Sequence, residues 1–383
     1  SNMDGVSYFD ASIHDYLAGD IYQSGYFVTA NTLGLLSLSG PEDPNFDSYV
    51  MDEFAGGNYD AEEQIAAFYA MIVDKLGDDV TLIAGARFES TSINYTGQVF
   101  DEEEDELPSD IGSVSGGNDY YNILPNLTLQ WDVNDELNFN FAFTQSIARP
   151  SYYDLVPYEY SNSDDQELAL GNPDLKASLS TNFDIMGEWY FGGLSLLSFG
   201  YFSKDIKDWI YQYTTNNYTY AGVNGYELSQ LRNGEKASVS GFELGFQTKF
   251  LKNFTFMGNY TSTDSSTNNV EGRDDVPLTG QVDDMYNLSL AFENSKFFVR
   301  ASMNYASEAL DELSGDAYED RYYDEQTFVD VNANYKVNDK LSIFAEGKNL
   351  TNQPLRYYQG IQQRTMQIEY YNLSWTLGLK YDF

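Results

Sequence analysis

The feature that most constrains this chain is a two-residue alternation of apolar and polar side chains that recurs along most of its length. The stretch LNFNFAF (residues 137–143) has leucine or phenylalanine at every odd position, with asparagine or alanine between them. The same rhythm runs through GFELGFQTKF (241–250), MYNLSLAFE (285–293) and the C-terminal NLSWTLGLKYDF (372–383). A period of two is the period of a β-strand, so the pattern predicts an all-β protein.

The charged residues indicate what each face of these strands contacts. Inside the alternating stretches they all fall on the polar face, at Arg87, Glu89, Glu188, Glu243, Lys249, Glu293, Arg300 and Lys380. An arginine or lysine facing lipid at mid-membrane costs about 2–4 kcal/mol, so membrane contact requires a charge-free apolar face. A soluble β-sandwich would alternate too, but the many aromatic residues on the apolar face favour the aromatic girdles of a transmembrane barrel.

The connections between the predicted strands fall into two strictly alternating kinds. Short polar turns are predicted at residues 76–79, 134–136, 192–193, 252–253, 294–296 and 338–340. Long acidic connections rich in tyrosine, asparagine and serine are predicted near residues 100–118, 149–174, 213–235, 261–281, 306–321 and 351–365. Short turns on one rim and long loops on the other are typical of an outer-membrane barrel. A Greek-key sandwich has no reason to sort its connections by length.

The number of strands raises a question of closure. The alternation gives about 13 strands after residue 60. The first and the last of them both run toward the short-turn side, so they cannot pair antiparallel with each other. An open edge would expose backbone groups to lipid, so a further strand is needed, and residues 25–39 are the best candidate. We therefore expect an antiparallel transmembrane β-barrel with about 13–14 strands in this sequence.

Composition removes several classes of function. The chain has no cysteine and a single histidine, His14, which disfavours a disulfide framework, thiolate chemistry and a histidine-based metal site. With 60 acidic and 20 basic residues, its formal net charge of −40 disfavours nucleic acid as a partner. No nucleophile elbow or phosphate-binding loop stands out, so we expect no enzymatic activity and no catalytic residue.

An ordered set of short motifs resembles the TonB-dependent outer-membrane receptors. The motifs include TQSIARPSYYDLVP (144–157), NGEKASVSGFELGFQTKF (233–250), FAEGKNLTNQP (344–354) and the terminal LGLKYDF, and the resemblance covers residues 58–383. It implies the outer membrane of a Gram-negative bacterium, a barrel of about 22 strands filled by a plug domain, and a short N-terminal box that engages the TonB complex. Neither the plug nor the box is recognisable here. We therefore expect residues 1–59 to hold a tag remnant, an extracellular loop and a possible first strand, and residues 60–383 to be the C-terminal part of the barrel.

The function expected from this resemblance is TonB-dependent uptake of a small-molecule nutrient, with an oligosaccharide as the first choice. Uptake of a siderophore or another metal complex, a passive porin-like or surface-binding barrel, and a soluble all-β module remain as alternatives. The acidic loops disfavour an anionic ferric siderophore, because like charge slows its approach. The expected partners are the TonB complex, the barrel-assembly machinery, the lipid bilayer and a nutrient such as a glycan.

Aromatic residues in the long connections are the candidate ligand-binding residues. Flat rings beside amides and carboxylates suit sugar rings, because stacking contributes apolar area while polar groups bind hydroxyls. The residues selected are Tyr152, Tyr153, Tyr158, Trp209, Tyr211, Tyr213, Tyr322 and Tyr357, together with Arg149 of the ARPSY stretch. As an alternative to ligand binding, these aromatic rings pack within the loops or lie at the membrane interface. For Arg149 we favour a structural role where the strand leaves the membrane, with binding of an anionic ligand as the alternative.

Two further segments carry expectations. The carboxylate run at Asp101, Glu102, Glu103 and Glu104 supplies the oxygen ligands that calcium takes, although we favour a solvated acidic loop, and no other cofactor is expected. The alternating C-terminal strand resembles the signal that the barrel-assembly machinery recognises. Its signal residues are Trp375, Leu377, Leu379, Tyr381 and Phe383.

Overall fold

The computed structural model describes residues 59–99, 112–162, 165–268 and 270–383. The long strands are β1 (Tyr59–Lys75), β2 (Val80–Val99), β3 (Gly112–Asn134), β4 (Leu137–Ala148), β7 (Ser178–Phe191), β8 (Ser195–Lys207), β11 (Lys236–Phe250), β12 (Phe254–Asn268), β13 (Asp284–Glu293), β14 (Phe297–Ala306), β17 (Gln326–Lys336), β18 (Leu341–Lys348) and β21 (Ser374–Tyr381). The remaining strands are β5 (Glu159–Asn162), β6 (Glu167–Leu170), β9 (Ile210–Tyr220), β10 (Val223–Asn233), β15 (Ala309–Ser314), β16 (Arg321–Tyr323), β19 (Leu355–Gln359) and β20 (Thr365–Glu369). One helical turn, α1 (Tyr152–Leu155), precedes β5.

The long strands form one sheet of 13 strands, here called the main sheet, in the order β1-β2-β3-β4-β7-β8-β11-β12-β13-β14-β17-β18-β21. Every neighbouring pair is antiparallel. The all-β class and the long antiparallel strands inferred from the alternation are confirmed. Within the part of the chain that the structure describes, this sheet is open, with β1 and β21 as its two edges.

The apolar face of the main sheet is exposed, as the prediction of a lipid-facing surface requires. Phe199, Leu244 and Leu290 are exposed on one face, whereas Glu243 and Asn259 belong to the opposite, polar face. Exposed apolar area of this extent on alternate positions is what a lipid-facing surface needs. Within the part of the chain that the structure describes, no helix is long and apolar enough to cross a membrane.

Asparagine side chains shape several of the short turns. The Oδ1 atom of Asn294 accepts hydrogen bonds from the backbone N–H groups of Lys296 and Phe297, at 2.9 and 2.8 Å. Asn338 does the same for Lys340 and Leu341, at 2.9 and 3.0 Å. These Asx-type turns satisfy backbone donors within a few residues, which lets adjacent strands connect tightly at this rim.

The long connections are more ordered than the sequence suggested. Polar segments predicted as loops near residues 100–118 and 261–281 partly continue as strands, since β3 already begins at Gly112 and β12 extends to Asn268. The predicted connection at 213–235 contains most of β9 and β10. Beyond the membrane both faces of a strand tolerate polar residues, so backbone pairing continues where the hydrophobic alternation stops.

The strands inside the long connections form a second sheet, here called the loop sheet, in the order β20-β19-β16-β15-β9-β10-β6-β5. Two of its pairs, β6 with β10 and β9 with β15, are parallel and join connections that are distant in sequence. The loop sheet therefore ties separate connections into one structure at the rim opposite the short turns.

The edges of the main sheet are β1 and β21, and both strands run toward the short-turn rim. Because two strands with the same direction cannot pair antiparallel, closure of the sheet requires an odd number of further strands between them. Residues 25–39, the expected closing strand, lie outside the described residues, as does most of the segment 1–59.

Candidate functional site

The candidate site lies at the long-connection end of the main sheet, on its polar face. Here the connection after β4 folds back onto β2: Ile93 and Tyr95 are buried against Leu155, Val156 and Leu175. The helical turn α1 begins at Ser151, whose Oγ accepts a hydrogen bond from the backbone N–H of Asp154 at 3.4 Å. This apolar cluster thus holds the connection after β4 against the polar face of the main sheet.

Arg149 follows the last residue of β4 and joins three strands. Its Nη2 atom donates to Glu89 Oε2 of β2 at 2.6 Å and to Thr91 Oγ1 at 3.2 Å. Its Nε atom lies 3.6 Å from Glu63 Oε1 of β1. Glu89 and Thr91 are buried, and Glu89 also accepts a hydrogen bond from Arg87 Nε at 2.5 Å, so two guanidinium groups together compensate the buried carboxylate. These contacts favour the structural role, and binding of an anionic ligand by Arg149 remains a prediction.

The tyrosines that follow Arg149 form one group. The rings of Tyr153 and Tyr158 stack with centroids 4.3 Å apart, and Tyr59 of β1 lies 5.9 Å from Tyr153. The hydroxyl of Tyr152 donates to Glu63 Oε2 at 3.2 Å. Burial raises the pKa of the Tyr158 hydroxyl. Tyr152 and Tyr153 retain exposed surface at this edge, so they can contact a ligand from outside.

Trp209, Tyr211 and Tyr213 lie in the largest apolar cluster of the loop sheet. They pack with residues of several connections, namely Ala237, Val270, Val276, Leu310 and Leu313, and Tyr322 lies against the cluster. Trp209 and Tyr211 are only 4% and 5% exposed. Their burial favours the packing role that the sequence offered as the alternative, and ligand contact by these rings remains a prediction.

A cavity of about 600 Å³ is lined mainly by the connection after β4, the segment before β9 and the connection after β12. It brings Arg149 and Trp209 together, since both line it, and Asp154 and Gln281 contribute polar groups. No signal in the sequence indicated that the connection after β4 lies near the one after β12. Their proximity depends on how both connections fold over the polar face of the main sheet.

Arg273 and Asp320 form a buried contact that sequence reasoning missed. The fully buried Asp320 carboxylate accepts two parallel hydrogen bonds from Arg273, and its Oδ1 also accepts from the backbone N–H of Ser314 at 2.9 Å. The backbone carbonyl of Asp320 accepts from Gly360 N–H at 2.8 Å. Three long connections therefore meet at this one aspartate.

A groove of about 540 Å³ lies on the strands β16, β19 and β20. The residues that line it are Arg321, Leu355, Tyr357, Met366, Gln367 and Glu369. Of the residues selected from the sequence, Tyr357 belongs to this groove, and its ring lies 4.8 Å from that of Tyr323. Tyr322 stacks on Tyr358 at 5.2 Å on the other face of the same strands.

The arginines of the long-connection side are almost all neutralised by carboxylates. The ion pairs are Arg149 with Glu89, Arg232 with Glu271, Arg273 with Asp320, Arg321 with Asp311 and Glu312, and Arg356 with Asp324. Arg364 instead donates to the backbone carbonyl of Tyr318 at 2.8 Å and lies over its ring. This side of the protein therefore offers hydrogen-bond donors without a concentrated positive charge.

The remaining sequence predictions concern metal binding and assembly. The described ranges contain no group of three or more acidic or histidine side chains that could hold a metal ion. The carboxylate run Asp101–Glu104 lies outside the described residues.

The residues expected to form the assembly signal lie in and just after β21. Trp375, Leu377 and Leu379 are exposed, and the rings of Tyr381 and Phe383 pack edge to face at 5.2 Å. A role of these residues in assembly remains a prediction.

Residues 3–350 match the family described as "TonB dependent receptor-like, beta-barrel". No curated protein sequence matches the chain significantly.

Solved structures with a similar fold include the ferric-catecholate import receptor Fiu from E. coli K12, with a TM-score of 0.63 at 15% identity. The copper transporter OprC gives a TM-score of 0.62 at 13% identity, and the ferric yersiniabactin uptake receptor FyuA from Yersinia pestis gives 0.60 at 16%. Each alignment covers 85% of this chain but only 45%, 48% and 46% of the respective structure. At this identity the likeness shows the fold alone, and the chain spans about half the length of these structures.

Proposed function

The chain belongs to the TonB-dependent receptor-like β-barrel family, and on that premise we propose that it is part of a Gram-negative outer-membrane receptor that imports a small nutrient. The long connections capture the nutrient outside the cell, and the TonB complex supplies the energy for its passage. The barrel-assembly machinery inserts the strands into the bilayer. The similar structures are described as receptors and transporters, which supports transport over catalysis.

We propose a neutral, hydroxyl-rich ligand, an oligosaccharide, as the nutrient. The observation that carries this choice is the neutralisation of the long-connection arginines by carboxylates. An anionic ferric siderophore would have to displace those carboxylates and would approach a chain with a net charge of −40. A sugar needs no net charge, because its hydroxyls bind amides, carboxylates and paired guanidinium groups, and its ring faces stack on tyrosine.

A cationic metal complex is the second candidate. The same net charge of −40 that disfavours an anion would raise the local concentration of a cation near the long connections. Its binding would weaken steeply with added salt, whereas binding of a neutral sugar would change little.

The test uses the complete receptor in detergent and four neutral hexasaccharides, namely malto-, cello-, xylo- and laminarihexaose, with ferric enterobactin and a copper complex as competitors. Calorimetric binding of one hexasaccharide that is insensitive to salt supports the proposal. Binding of either metal complex, with no heat from any hexasaccharide, overturns the sugar assignment. In a separate experiment on whole cells, uptake that persists after the proton gradient is collapsed would overturn energised import and favour a passive barrel.

A further inference from the structure

The groove on β16, β19 and β20 has the chemistry of a saccharide subsite. Resting on the proposed function, we propose that it binds one or two rings of a neutral saccharide, with Tyr357 as the stacking surface and Arg321, Gln367 and Glu369 as the groups that bind hydroxyls. The two faces of these short strands carry different tyrosines.

The strand register places the tyrosines on opposite faces in pairs. Tyr322 is paired with Tyr358, and Tyr323 with Tyr357. Since neighbouring residues in a strand point to opposite faces, the first pair and the second pair face opposite ways. Tyr358 is only 3% exposed and Tyr322 packs against the apolar cluster of the loop sheet, so their face is the structural one. Tyr323 and Tyr357 belong to the opposite face, here called the open face because, among the described residues, the groove lies on it with Tyr357 in its lining.

The open face continues onto the edge strand β20. Tyr357 is paired with Gln367, and Leu355 with Glu369. In an antiparallel pair, directly opposite side chains point to the same face, so the amide and the carboxylate stand beside the tyrosine ring. Leu355 and Met366 add apolar surface to the groove. An aromatic and aliphatic floor with polar groups at its rim matches a sugar ring, which has an apolar face and hydroxyls around its edge.

Arg321 is held in place at the side of the groove. Its Nε lies 2.5 Å from Asp311 Oδ2 and its Nη1 lies 2.8 Å from Glu312 Oε2. The guanidinium carbon is 5.6 Å from the centre of the Tyr357 ring. Two carboxylates neutralise and orient this arginine, so it can donate hydrogen bonds without favouring an anion.

The polar groups of β20 are also arranged before any ligand binds. Gln367 donates to Glu369 Oε1, and the hydroxyl of Tyr371 donates to the other oxygen of the same carboxylate. Fixed polar groups reduce the entropy lost on binding. The groove volume of about 540 Å³ lies within the range of small-molecule sites.

The experiment compares Tyr357→Ala, Tyr357→Phe and Gln367→Ala in the complete receptor, titrated with the same four neutral hexasaccharides. Tyr218→Ala is the matched control, because Tyr218 is an exposed tyrosine of β9 in the same sheet but outside the groove. Thermal melting and heat-modifiable gel migration check that each variant is folded.

We expect Tyr357→Ala to weaken hexasaccharide binding at least about tenfold, equivalent to about 1.4 kcal/mol. Tyr357→Phe should keep most of the affinity because the ring is retained, Gln367→Ala should weaken binding several-fold, and Tyr218→Ala should bind like the wild type. If the wild type binds a hexasaccharide and the folded groove variants bind it equally well, the groove assignment is overturned while the proposed function stands. If the wild type binds none of them, the sugar assignment itself fails and the groove proposal falls with it.

Discussion

Arg273 donates two parallel hydrogen bonds to Asp320, with Nη1–Oδ1 at 2.9 Å and Nη2–Oδ2 at 2.6 Å. The pair joins the connection between β12 and β13 to the connection between β14 and β17. Asp320 is completely buried, so removal of either partner leaves the other charge or its donors unpaired in a site with little access to water.

We therefore expect Asp320→Asn to loosen the loop sheet. Loss of one partner of a buried pair typically costs about 3–5 kcal/mol, although the retained amide softens this effect. Hydrogen exchange followed by mass spectrometry should show faster exchange in residues 270–283, 309–323 and 355–364, with the main sheet unchanged. Asp205→Asn is the control, because its ion pair with Lys236 is exposed and is worth about 0–1 kcal/mol. Unchanged exchange in Asp320→Asn would show that the pair does not hold these connections together.

Gly234→Ala should displace the buried indole of Trp209. A Cβ atom at position 234 would lie 2.2 Å from Trp209 Nε1, a distance that cannot be tolerated without movement of the ring. In a background with Trp131, Trp189 and Trp375 replaced by phenylalanine, the emission of Trp209 should shift to longer wavelength. Gly200→Ala is the control, since its added Cβ would make an ordinary contact of 3.5 Å with Glu243. An unshifted spectrum in Gly234→Ala would contradict the packing described for Trp209.

Arg149→Ala should lower the urea midpoint of unfolding in lipid vesicles. The substitution removes the cation that Glu63 and the buried Glu89 share, and leaves Glu89 with Arg87 as its remaining partner. The double variant Arg149→Ala/Glu89→Gln should recover part of the loss, because the buried carboxylate is neutralised as well. A stable Arg149→Ala variant that no longer binds its nutrient would instead support the ligand-binding role.

High pH should weaken the loop sheet through its buried tyrosines. Burial and then hydrogen bonds to Glu271 and Glu308 raise the pKa values of Tyr211 and Tyr358 above that of a free tyrosine. The folded state thus favours the neutral phenol, so this contribution to stability is complete below about pH 10 and is lost as the pH rises further. Absorbance titration at 295 nm should show late-titrating tyrosines, and Tyr211→Phe and Tyr358→Phe should each remove one. If both residues ionised with the pKa of a free tyrosine, the burial described for them would be contradicted.

The sequence predicted the strands of the main sheet, where contact with lipid imposes an alternating pattern. It did not predict the pairing of the strands in the loop sheet. Leu244 and Leu290 belong to strands that the alternation identified, because a membrane excludes charge from one face of every strand. The loop sheet lacks that constraint. Whether a loop tyrosine is buried like Tyr211 or lies in an open groove like Tyr357 depends on pairings such as β9 with β15, which join residues far apart in the sequence.

The orientation of the main sheet is the claim on which the others depend, and cysteine labelling of whole cells tests it most directly. The chain has no cysteine, so an introduced thiol is labelled without background. Tyr218→Cys places a thiol in the loop sheet, and Asp339→Cys places one in an exposed short turn. With a membrane-impermeant maleimide, Tyr218→Cys should be labelled in intact cells, and Asp339→Cys only after the outer membrane is permeabilised. Labelling of Asp339→Cys in intact cells, with Tyr218→Cys protected until permeabilisation, would contradict the proposed extracellular position of the long connections.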